Sequence, residues 1–258
     1  MVRTRKVSES ETIRLELLSS ADSAKAKILS RFFKTGRGEY GEGDRFHGIV
    51  VPIIRRIVKA HRHAAGKDIL QLLRSTYHEE RLTALLILVE QYRSGDKSCK
   101  KAVFDLYLAS TRYINNWDLV DLTAQHIVGD HLYGGDTSIL TKLALSKNLW
   151  ERRIAILSTN HFIRQSDGSE TLRIAELLLH DPHDLIHKAV GWMLREVGKH
   201  CSLEDEYRFL DAHAAIMPRT MLRYAIERFP GRLKSLYMGK AEYRSRKPGS
   251  RMVPIETA

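Results

Sequence analysis

The sequence predicts an all-α fold arranged as a repeating array, and three observations carry that reading. Apolar residues recur at helical spacing almost throughout, as in Leu82, Leu85, Leu86 and Val89, or Leu172, Ala175, Leu178 and Leu179, which puts each set on one helix face. Alternating β-branched runs are scarce. Similar helical segments also return at a fixed interval, each with an alanine at the same place: Ala84, Ala155, Ala189 and Ala225, with gaps of 71, 34 and 36 residues.

A gap of 71 is two periods, so a fifth equivalent helix falls near position 120. Small residues at one place on successive helices let neighbours approach closely. A period of roughly 35 residues predicts a HEAT-like α-solenoid of antiparallel helix pairs, with a helical bundle as the alternative.

Along the chain, residues 1–10 are polar and read as a disordered N-terminus, and 11–239 as the repeat domain. Residues 240–258, with Lys240, Arg244, Arg246, Lys247 and Arg251, read as a disordered basic tail. Pro52 opens a helix at Ile53, Gly66 separates two helices, Asp181-Pro182 precedes another, and Pro218 sits in the first turn of a late one. Gly36 to Gly48, with five glycines in thirteen residues, is the one long irregular stretch.

The net charge is +11, from 42 basic and 31 acidic residues spread along the whole chain. That distribution favours a broad polyanion-binding surface. Cys99 and Cys201 lack metal-ligand spacing and read as isolated thiols of a reducing compartment. No apolar run suits a signal peptide or a membrane span, so a cytoplasmic protein is expected. The equivalent helices carry Arg81, Trp117, Arg152, Arg153, Lys188, Trp192, Arg195 and Arg223, which makes the expected concave surface both basic and aromatic. A carboxylate on such a surface needs explaining, and Asp121 lies four residues after Trp117, on the same helix face. Asp118 points about 100° away and reads as solvated or supporting. Trp150, Tyr207, Phe209, Tyr224 and Phe229 read as packing residues. His183 and His187 are four apart, but Asp181-Pro182 breaks the register, so a helix cap or a phosphate contact is expected rather than a metal site.

Four segments in order, Phe46 to Arg55, Asn116 to Asp121, Leu149 to Leu157 and His187 to Glu196, resemble the AlkD-like DNA glycosylases, a family of DNA alkylation repair proteins. The resemblance runs from about Phe32 to Phe229. It implies excision of cationic alkylated purines such as 3-methyladenine and 7-methylguanine from double-stranded DNA, by a monomer, with no metal or other cofactor. Carried over by motif, Trp117, Asp121 and Trp192 form the catalytic cleft and Arg153 contacts DNA beside it. Arg152, Lys188 and Arg195 hold phosphates, and Phe32 replaces a DNA-contacting tyrosine. Gly36 to Gly48 departs from the family pattern as an insertion, expected to place a mobile basic loop with Arg37 and Arg45 at one end of the groove. Two further readings stay open: a non-catalytic repeat module that binds damaged or branched DNA, and a protein scaffold.

Overall fold

The computed structural model describes residues 7–245, with side chains as far as Gly239. Its helices are α1 (Glu9–Ser19), α2 (Ser23–Phe32), α3 (Val51–Ala60), α4 (Gly66–Leu73), α5 (His78–Ser94), α6 (Lys97–Ala109), α7 (Trp117–Asp121) and α8 (Asp130–Leu132). They continue as α9 (Ser138–Ala144), α10 (Leu149–Ser158), α11 (Asn160–Arg164), α12 (Ser169–Leu177), α13 (Asp184–His200), α14 (Leu203–His213), α15 (Arg219–Ala225) and α16 (Gly231–Ser245). Among the described residues no strand forms, and one backbone bridge joins Arg45 to Tyr77.

Short polar side chains set the helix starts. Ser8, Asp22, Asp96, Asn116, Asn148 and Ser202 each accept a hydrogen bond from a backbone N–H of the first turn, satisfying donors that the helix itself leaves open. Pro52 lies in the first turn of α3, and Pro218 stands just before α15. Between α7 and α8 the chain passes through a π-helical turn, Gln125–Gly129.

The five equivalent helices are α5, α7, α10, α13 and α15, and each packs on the next. On their other side α4 and α6 cover α5, α9 covers α10, α12 and α14 cover α13, and α16 covers α15. The result is an all-α helical-repeat fold. Ala84, Ala155, Ala189 and Ala225 are wholly buried, as is Val120 at the position of the missing member. In α13, Gly191 brings the helix so close to α15 that a Cβ there would collide with the Met221 carbonyl oxygen. The core is one continuous cluster running from Ile13 to Tyr237.

Glycine-rich residues 36–48 are not a free loop at one end of a groove. The Glu79 carboxylate accepts three backbone N–H groups, from His47 (3.0 Å), Gly48 (2.8 Å) and Ile49 (3.2 Å). Gly48 has φ +83°, and a Cβ there would strike the Asp22 carbonyl oxygen, so only glycine suits this crossing. Arg45 lies over the Tyr77 ring, while Asp44 is drawn into a buried cluster described below. The N-terminal boundary also moves. Glu9 and Ser10 belong to α1, and Ser10 is fully buried with its N–H donating to Asp68. At the other end α16 reaches Ser245, and the rest of the predicted tail lies outside the described residues.

Glu206 of α14 is buried against Gly198 of α13, and its Oε1 has no hydrogen-bond partner. Burial raises its carboxyl to about 8, against the opposing charge of Arg195. Between the ordinary value of 4.5 and about 8, the unfolded chain has lost this proton while the folded chain keeps it. Stability therefore falls as pH rises through that window. Glu206→Gln removes the slope: in thermal unfolding the variant gains on the wild type from pH 4.5 to 8. Parallel profiles would show that Glu206 is ionised in the fold.

Candidate active site

The site is assembled by α7, α10 and α13. Asn116 caps α7 through the Trp117 N–H (2.8 Å), which fixes where Trp117 enters the helix. Asn148 caps α10 through the Trp150 N–H, and His183 caps α13 by accepting from the Leu185 N–H (3.1 Å). The sequence expectation of a helix-capping histidine holds there.

Behind α7 lies a buried charged cluster. Nε2 of His78 pairs with the Asp118 carboxylate at 2.8 Å, and Arg81 donates to Asp44 (2.7 Å), to Asn115 (2.9 Å) and to the Ser75 carbonyl (2.7 Å). Asn115 also donates to Asp44 at 2.8 Å. Burial works against a charged imidazole, but the adjoining Asp118 and Asp44 carboxylates outweigh it and raise His78 to about 9. His78 is therefore an imidazolium at neutral pH, stacked near Phe33 and Phe46. Asp118 is not solvated: it anchors α7 to α5.

Trp117 and Trp192 line one cleft of about 570 Å³, together with Phe32, Tyr40, Arg153, Lys188, Arg195 and Tyr224. Phe32 is 60 % exposed and meets the Trp117 ring edge-on at 5.8 Å. Tyr40 accepts a hydrogen bond from Trp117 Nε1 (3.2 Å) and meets the buried Trp150 edge-on. Asp121, one helical turn beyond Trp117, lines an adjoining groove of about 460 Å³ with Arg55, Lys59, Arg62, Arg93, Gln125 and His126. Arg153 links the two, lining the cleft and holding the Asp121 carboxylate of the groove in a two-pronged ion pair, Nε–Oδ1 2.8 Å and Nη2–Oδ2 2.8 Å. Beyond Gln125, whose side chain accepts from Asn160 (2.8 Å), a further hollow is lined by Asn160, Arg164, Trp192 and Lys199. Trp192 borders both the cleft and this hollow. A separate cavity of about 420 Å³ under α2 has almost wholly apolar walls.

The cations chosen from sequence are mostly engaged. Arg153 is buried, with Nη1 donating to the Leu185 carbonyl at 2.5 Å besides the Asp121 pair. Arg152 pairs with Asp181 at 2.5 Å and donates to the Ser146 and Lys147 carbonyls. Arg195 pairs with Glu196 and Glu227, and the half-exposed Lys188 pairs with Asp184 at 2.6 Å. Among the described residues, Arg55, Lys59, Arg62, Arg164 and Lys199 have no carboxylate partner within ion-pair distance, and all five line the groove or the adjoining hollow. The spacing of 55, 59 and 62 is a signal present in the sequence, since residues four and three apart share a helix face. Tyr224, expected in the core, lines the cleft, as does Tyr40, which no sequence motif marks.

Electrostatics follow from this layout. Burial pushes the Asp121 carboxyl above its ordinary value, and the hydrogen bonds and charge of Arg153 oppose that rise. The guanidinium is charged at every physiological pH, so the Asp121 carboxyl has a cationic partner throughout. His126 is lowered to about 4, first by burial and then by the charges of Arg93, Arg164, His161 and Arg55. Among the described residues no three His, Cys, Asp or Glu side chains are grouped to hold a metal ion, and no helix is long and apolar enough to cross a membrane.

The family model described as "DNA alkylation repair enzyme" matches residues 13–229. A predicted DNA alkylation repair enzyme from Enterococcus faecalis has a similar fold, with a TM-score of 0.63 over 82 % of this chain and 98 % of that one, at 16 % identity. No curated protein sequence is significantly similar to this chain.

Removing Arg153 leaves a buried carboxylate without its counter-charge. Arg153→Gln is expected to cost about 3 kcal/mol in chemical denaturation and to raise the Asp121 carboxyl further, as read by carbon NMR. A stable variant with unchanged titration would mean the pair is not formed in solution. His126 is expected to titrate near pH 4 alone and distinctly higher when a polyanion offsets Arg93, Arg164 and Arg55. Proton NMR of the imidazole with and without heparin reads this, and an unmoved titration would place polyanions elsewhere.

Proposed function

The chain belongs to the DNA alkylation repair enzyme family, and on that premise we propose that it is a DNA glycosylase hydrolysing the N-glycosidic bond of cationic alkylated purines, such as 3-methyladenine and 7-methylguanine, in double-stranded DNA. The observation that carries this reading is Asp121: a carboxylate gripped by Arg153 in a two-pronged ion pair, lining a groove bordered by Arg55, Lys59 and Arg62 and linked through Arg153 to a tryptophan-lined cleft.

Alkylation at N3 or N7 leaves the purine positively charged, so the base departs without being protonated. The C1′–N bond breaks with its electron pair leaving on the purine, which becomes neutral. Positive charge then develops on the deoxyribose, and a fixed carboxylate stabilises that oxocarbenium-like centre and orients the water that adds to it. The proton of that water passes to solvent. Both Asp121 oxygens already accept from Arg153, yet each carboxylate oxygen has a second lone-pair site, so the ion pair positions the group without exhausting it. The indole faces of Trp117 and Trp192 favour the same developing charge.

Phosphate binding is assigned differently from the sequence expectation. Arg55, Lys59, Arg62, Arg164 and Lys199, with Lys34 in the cleft, are cations free of a carboxylate partner and placed to meet a sugar–phosphate backbone, with half-exposed Lys188 as a further candidate. Arg152, Arg153 and Arg195 act through the protein. The reading further takes the protein as a cytoplasmic monomer requiring no cofactor.

The deciding experiment is release of free 7-methylguanine from a defined duplex by wild type and by Asp121→Asn. Release by the wild type, with a loss of at least about 100-fold in the variant and unchanged duplex affinity, is the expected result. Equal release by both removes Asp121 from the chemistry. Salt-sensitive duplex binding without release by either would make the protein a DNA-binding module.

A further inference from the structure

The glycine-rich segment delivers a side chain to the cleft that no motif announced. We propose that Tyr40 is a positioning residue: its hydroxyl fixes the plane of the Trp117 indole at the cleft wall, so that the ring face is already set when substrate enters. The inference rests on the glycosylase reading above.

Three features carry it. The phenol oxygen accepts the indole Nε1–H of Trp117 at 3.2 Å, and Trp117 is one of the two tryptophans lining the cleft. The other ring contacts of the indole are with Phe32 and Phe33, at 5.8 and 5.2 Å between ring centroids, and neither offers its N–H an acceptor. Tyr40 is itself held from behind, edge-on against Trp150 of α10 at 5.8 Å. Burial raises the phenol, and the hydrogen bond from Trp117 opposes that rise, so Tyr40 stays protonated at working pH.

Segment 36–48 is also built to be stiff where this contact needs it. Asp44, four residues on from Tyr40, accepts from Arg81 at 2.7 Å and from Asn115 at 2.8 Å. Asn115 stands two residues before Trp117, so the segment and the start of α7 are tied together by two separate hydrogen bonds, Asn115 to Asp44 and Trp117 to Tyr40. An indole locked in place pays its ordering entropy during folding rather than on substrate binding. A hydroxyl contributed by an insertion thus supplies order to a ring belonging to the repeat.

The test compares wild type, Tyr40→Phe and Tyr40→Ala on a duplex carrying 7-methylguanine, with nitrogen–proton NMR of the Trp117 indole N–H. Tyr40→Phe keeps the ring and removes only the acceptor. The expected result is an upfield shift and faster solvent exchange of that indole resonance, with a single-turnover rate about tenfold lower and duplex affinity within twofold of wild type. Tyr40→Ala is expected to lose more rate and to broaden the resonance. An unshifted resonance, or an unchanged rate in Tyr40→Phe beside an active wild type, overturns the positioning role alone. No release by the wild type overturns the glycosylase reading and this inference with it, whatever the resonance does.

Discussion

The interaction on which the site depends is the guanidinium of Arg153. It stems from α10, grips the Asp121 carboxylate of α7 with two hydrogen bonds, and spends a third on the Leu185 carbonyl at the start of α13. One side chain therefore fastens three successive repeats at the point where they enclose the cleft. A buried guanidinium is tolerated only when its donors are met, and here the acceptors come from two different neighbours. The environment of the Asp121 carboxylate and the spacing of the helices that carry the two tryptophans are in consequence set by the same group.

Arginines at the repeat position show the same device elsewhere. Arg81 and Arg152 both lie three residues before the alanine that marks their helix, and both donate to a backbone carbonyl six residues upstream, Ser75 and Ser146. Each also reaches forward, Arg81 to Asn115 ahead of α7 and Arg152 to Asp181 ahead of α13. The planar fork of arginine suits such a task, because its donors point in fixed and separate directions. Repetition of a charge along the array here marks a tie between units at Arg81 and Arg152.

Such ties bear on what could be read in the sequence. Helical periodicity and the recurring alanines located the five equivalent helices, including the one near position 120, because small buried residues are demanded wherever helices cross closely. Trp117, Asp121 and Trp192 stand out through the spacing of their motifs; the two tryptophans line one cleft, while Asp121 lines a separate groove and is linked to that cleft through Arg153. The direction of Arg152, Arg153 and Arg195 was not legible, since helix spacing gives a face but says nothing of which carboxylates fold against it. Glycine-rich residues 36–48 misled for a related reason. Their composition signals irregular backbone, whereas their placement is decided by Glu79 and Arg81, more than thirty residues away. Tyr40 and Asp44 had no periodic partner to reveal them.

The cleft spans helices from three consecutive units, with Trp117 on the first, Arg153 on the second and Trp192 on the third. In a stack where each unit touches mainly its neighbours, any change in curvature is shared out as small rotations at every junction. The separation of the two indoles is then a gauge of how strongly the array is bent. On the proposed function, a duplex lying along the cations of α3, α11 and α13 would bear on that separation, and the aromatic walls would answer to its shape.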